Sequence, residues 1–121
     1  MSMTLRSVMG GLIIAATATG TATESISIRV SPAVAFAPAE LVIRTSIAPD
    51  AGNRAVEIIA DSSNFYRSSE IQLDGDRAPK TAIVQFHGVP PGEYDVTAAV
   101  VGADGRPRAM AHAHVNILGA E

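Results

Sequence analysis

His112 and His114 stand two apart in a C-terminal stretch, residues 108–118, that alternates small or apolar residues with larger polar ones. On an extended strand, positions i and i+2 share a face, so both imidazoles fall on one side together with Arg108, Met110 and Asn116. Ala109, Ala111, Ala113, Val115 and Ile117 fill the other side. Two histidines so placed can ligate zinc or copper, and the thioether of Met110 suits copper. The competing reading is plainer: polar side chains on the solvent face of a half-buried strand.

Other candidate chemistry is sparse. Asp74-Gly75-Asp76, with Asp61 or Asn64, offers oxygen donors for calcium, although two Asp flanking a Gly also make an ordinary turn. There is no Gly-x-Ser-x-Gly elbow and no Gly-rich phosphate loop opening a helix. All three histidines lie in strand patterns, and Glu57, Glu70 and Glu93 fall on outward positions of separate strands. The expectation is therefore no catalytic residues and no enzyme. The chain has no cysteine, which excludes disulfides, thiolate metal sites and a Cys nucleophile. A net charge of −3 with scattered Lys and Arg gives no basic stripe to neutralise a run of phosphates, so no nucleic-acid partner is expected.

The elements that must position these residues begin after an N-terminal segment of different character. Arg6 is the single charge in residues 1–22, an apolar stretch runs from Val8 to Ala18, and Thr19-Gly20-Thr21-Ala22 follows. A positive start, a short apolar centre and a small-x-small end describe a signal peptide, cleaved before Thr23 or after Ala18, whose apolar part forms a short helix. The expected division is residues 1–22 as signal peptide and 23–121 as one domain, periplasmic or secreted. No membrane insertion is expected after cleavage.

From Glu24 onward the period is two, and no amphipathic helix is found. Ile26, Ile28 and Val30 share a face, as do Leu41, Ile43 and Ile47, then Val56, Ile58 and Ala60, then Ala82, Val84 and Phe86, then Tyr94, Val96, Ala98 and Val100. Pro49-Asp50-Ala51-Gly52-Asn53, Asp74-Gly75-Asp76 and Asp104-Gly105 are turns of the residue types turns prefer. Residues 31–38 read as a proline-bounded link, and 62–67 as a loop or a short edge strand. The result is an all-β, antiparallel, seven-strand immunoglobulin-like β-sandwich. In this register Ile59, Ile83 and Val101 point outward. With Phe65 and Tyr66 they could form an apolar patch for another protein or a second copy of the chain.

Residues 86–96 carry a resemblance. Val89, Pro91, Gly92 and Tyr94 stand in the order found at the corner before the sixth strand of fibronectin type III and related bacterial immunoglobulin-like domains. The resemblance implies a tight Pro91-Gly92 bend and a buried Tyr94 whose hydroxyl bonds back to the corner's backbone. Prealbumin-like and carboxypeptidase-regulatory sandwiches share the rhythm. With no Trp and no Cys pair the chain is not an antibody-type domain. A periplasmic copper-carrier family also looks similar through Pro91-Gly92-Glu93-Tyr94 and Asp104-Gly105, although Arg106 stands where that family has a metal-binding His.

These readings lead to an exported, non-enzymatic binding or structural module acting through protein–protein contact. They imply no cofactor. One alternative is a periplasmic copper or zinc sandwich using His112, His114 and Met110. A second is a carbohydrate-binding module, with Phe36, Phe65 and Tyr66 as its stacking aromatics.

Overall fold

The alternating segments fold as pleated strands, and the computed structural model describes residues 25–119 together with the backbone of 18–19. The strands are β1 (Ala18–Thr19), β2 (Ile26–Ser31), β3 (Val34–Phe36), β4 (Ala39–Ile47), β5 (Ala55–Asp61), β6 (Tyr66–Gln72), β7 (Thr81–Val89), β8 (Gly92–Val101) and β9 (Pro107–Leu118). One 3-10 turn, Gly75–Arg77, separates β6 from β7. No helix among the described residues is long and apolar enough to cross a membrane. The protein is all-β.

Two sheets face each other, ordered β1-β2-β4-β7 and β3-β9-β8-β5-β6. Two features of the expected architecture are corrected. Nine strands occur among the described residues rather than seven, and the second sheet is mixed, because β3 runs parallel to β9. The cause lies in the proline-bounded segment. After β2 the chain leaves the first sheet and lays Val34–Phe36 along β9 of the second. The expected signal helix falls outside the described residues. Of residues 1–22, only Ala18–Thr19 is described, as a two-residue strand on Val30 and Arg29 of β2.

Alternate side chains from both sheets meet in one core. Ile26, Ile28 and Val30 of β2 and Leu41 and Ile43 of β4 pack against Val56, Ile58 and Ala60 of β5, Tyr94 and Val96 of β8, and Val115 and Ile117 of β9. At about 25 cal/mol per Å² of apolar surface removed from water, such burial is the main force holding the sheets together. β6 differs from the rest: its residues are exposed or half-buried throughout. It is an edge strand, hydrogen-bonded to β5 over its whole length, and it starts at Tyr66, inside the stretch 62–67 that reads as a loop or a short edge strand. An edge strand with no buried face leaves little hydrophobic rhythm to read.

The β8–β9 hairpin closes through Gly102-Ala103-Asp104-Gly105-Arg106. Asp104 Oδ1 accepts from the Arg106 N–H at 3.0 Å. Gly105 has φ +77°, a conformation that costs a residue with a Cβ roughly 1 kcal/mol. This turn aligns β8 with β9 and so sets which side chains meet on the outer face.

Candidate functional site

On the outer face of the second sheet, cross-strand pairing lines up side chains that are far apart in the chain. His114 of β9 lies opposite Asp95 of β8, Asp95 opposite Asp61 of β5, and Asp61 opposite Tyr66 of β6. The adjacent row runs His112, Thr97, Ile59, Ser68. The next runs Met110, Ala99, Glu57, Glu70. Strand alternation puts all of these on one side, so a five-stranded platform carries two imidazoles amid carboxylates.

Distances tie the histidines to their neighbours. His114 Nδ1 is 3.3 Å from Asp95 Oδ1, and its Nε2 is 3.6 Å from Glu93 Oε1. His112 Nδ1 is 3.3 Å from Thr97 Oγ1. The site is open: the His114 side chain is 58% exposed and that of Asp95 81%. Met110 is exposed on the same face, one alternate position from His112. Among the described residues, no three His, Cys, Asp or Glu side chains converge into a ready-made metal cage. A metal here would need rotation of exposed side chains to complete its shell.

The proposed apolar patch does not assemble. Ile59 is half-buried on the outer face of the second sheet, whereas Ile83 is exposed on β7, in the first sheet. The two point to opposite sides of the sandwich. Phe65 is half-buried and packs edge-to-face on Tyr94, with ring centroids 6.0 Å apart. The Arg67 guanidinium lies 5.1 Å from the Phe65 ring centre and donates through Nη1 to the His87 carbonyl at 2.8 Å. Val101 of β8 is half-buried, and of the five residues only Tyr66 and Ile83 are exposed large hydrophobics, in different sheets. Sequence periodicity shows which residues face outward from a strand, but strand order decides which of them become neighbours.

At the corner, Val89 and Tyr94 are fully buried and Pro91 is exposed. The Tyr94 hydroxyl donates to the Pro90 carbonyl at 2.8 Å. Gly92 has φ +154°, and a Cβ there would meet both Ser62 and the Tyr94 ring at 3.4 Å. Asp74 and Asp76 flank a buried Gly75 whose N–H donates to Asn53 O, while Asp61 stands in the outer row described above. Two neighbours went unread in the sequence. Asp61 joins Asp95 across β5 and β8, and Arg29 joins Arg44 across β2 and β4. Both depend on long-range register, and no local pattern marks either.

No family model matches the chain, and no curated protein matches it. Among solved structures it is similar to superoxide reductase (neelaredoxin) from Ignicoccus hospitalis. The TM-score is 0.52 at 10% identity, over 84% of this chain and 81% of that one. This comparison corrects the expectation of a non-enzymatic module acting through protein–protein contact, which leaned on the fold: a sandwich of this shape also serves an enzyme. At 10% identity the two proteins are alike in fold alone.

Proposed function

We propose that the outer face of the second sheet binds a divalent transition metal, copper(II) or zinc, through His112 and His114. The observation that carries this reading is the pair of exposed imidazoles on one face of β9, with Asp95 3.3 Å from His114. Imidazole nitrogens with a carboxylate oxygen suit both metals. Asp95 can also act from behind His114, holding Nδ1 and leaving Nε2 as the donor. Thr97 stands in the same relation to His112.

Superoxide reduction, the activity in the neighbour's name, enters only through the metal. Copper could exchange single electrons and zinc could not. This chain would have to hold either without any cysteine.

Copper(II) and zinc titrations, followed by NMR of the histidine ring protons, test the proposal. Copper is expected to broaden His112 and His114 together while His87, on the other sheet, stays sharp. Replacing both His112 and His114 by Ala should abolish the response, and Asp95→Asn should weaken it roughly tenfold. Equal broadening of all three histidines, or none at any, would sink it.

The assignment to a fibronectin type III-like class and to the periplasm or exterior belongs to the same proposal. It draws on the Val89–Tyr94 corner and on the pattern of residues 1–22.

A further inference from the structure

The opposite face of the sandwich carries an arrangement of different sign. Arg29 of β2 and Arg44 of β4 are Cα partners, so two guanidinium side chains stand directly across from each other on the outer face of the first sheet. Both are exposed. Like charges in this position destabilise a sheet. Neither arginine has an ion pair or hydrogen-bonded side-chain partner among the described residues. Glu40, the acidic residue further along β4, is engaged by His87 at 3.1 Å.

Beside the arginines lies a row of hydroxyls. Ser27 of β2 pairs with Ser46 of β4, and Ser46 with Thr81 of β7, so three donors cross three strands. This row is displaced from the arginine row by two residues, about 7 Å along the strands. None of the three hydroxyls has a hydrogen-bond partner among the described residues. Ser27, Arg29, Arg44 and Ser46 line one shallow depression, and Lys80 and Thr81 help to line the adjoining one.

Two guanidinium forks and a row of hydroxyls, none engaged by a protein side chain among the described residues, thus present their donors to one patch of surface. We propose that this depression binds a single tetrahedral oxyanion, phosphate or sulfate, either free or as the terminal ester of a small molecule. Arginine suits the role because its planar fork donates two parallel bonds to such an anion. The serine hydroxyls supply shorter-range donors on the other side. The anion would also remove the repulsion between Arg29 and Arg44, so binding and local sheet stability are coupled. The site is independent of the histidine face, which lies on the other sheet.

The test is titration with inorganic phosphate at constant ionic strength, followed by backbone amide shifts of the full chain. Saturable shifts are expected at residues 27–29 and 44–46, with His112 and His114 unmoved. Arg44→Gln should weaken binding at least tenfold, and Arg44→Lys should fall between, because a lysine keeps the charge and loses the fork. Without phosphate and at low salt, Arg44→Gln should melt no lower than the parent protein, which shows that the variant folds. Glucose 6-phosphate distinguishes the sources: tighter binding than inorganic phosphate indicates an ester, and equal binding a free anion. Shifts that do not saturate, or an undiminished response in Arg44→Gln, would overturn the proposal.

Discussion

Tyr94→Ala is expected to destabilise the domain by about 3–5 kcal/mol, the cost of removing a large aromatic from a packed core. Tyr94 is fully buried, lies opposite Val115 in the β8–β9 ladder and makes a T-shaped ring contact with Phe65. Domains of this size are stable by only about 5–15 kcal/mol, so the substitution removes a large share of the whole. Tyr94→Phe separates the ring from the hydroxyl. It keeps the packing and loses the bond to the Pro90 carbonyl, for an expected cost of about 1–2 kcal/mol. Urea denaturation of the parent and both variants measures this, with the midpoints falling in the order parent, Phe, Ala. A Phe variant as stable as the parent would mean that the corner bond contributes nothing. A Phe variant as damaged as Ala would mean that the hydroxyl, not the ring, dominates.

The second prediction runs the other way. Thr45→Val is expected to stabilise the protein by about 1 kcal/mol, or up to 2. Thr45 sits mid-strand in β4 between Ile28 of β2 and Ala82 of β7, and it faces the core with no exposure. Its Oγ1 is buried and has no hydrogen-bond partner among the described residues. Valine has nearly the same shape, so the exchange replaces an unsatisfied hydroxyl with a methyl group and leaves the packing intact. For a domain near 100 residues each kcal/mol moves the melting temperature by roughly 4–8 °C. Calorimetry should therefore show a clear rise. A fall would show that the hydroxyl has a partner in solution, and that the core at β4 is wetter than its side chains suggest.

How far the sequence reveals this molecule depends on the range of the interaction in question. Which side of a strand a residue takes is local. Val56, Ile58 and Ala60 are buried, and so are Tyr94, Val96 and Ala98, as the alternation implies. That His112 and His114 share a face is local in the same sense. β3 and β6 escape because neither has a consistently buried side: Val34 and Phe36 are exposed, and β6 is exposed or half-buried throughout. Adjacency between strands is not local at all. Ile59 and Ile83 both face outward, but β5 and β7 belong to different sheets. Arg29 and Arg44 read as two scattered charges until the β2–β4 register sets one opposite the other. Net charge shows no basic stripe, whereas pairing builds a small one.

The parallel contact between β3 and β9 has a mechanical consequence. Tension applied between the chain entering β3 and the chain leaving β9 pulls from opposite ends of two strands that run the same way. Such a load slides one strand along the other. The bonds from Asn116 N to Ala33 O at one end and from Ala37 N to Leu118 O at the other must then give way together with those between them, rather than opening one by one like a zipper. Resistance to that motion is a matter of unfolding rate, not of equilibrium stability. Three residues of edge strand thus act as a clamp against stretching, and the strands that lie between them in the chain, β4 to β8, are shielded until it slips.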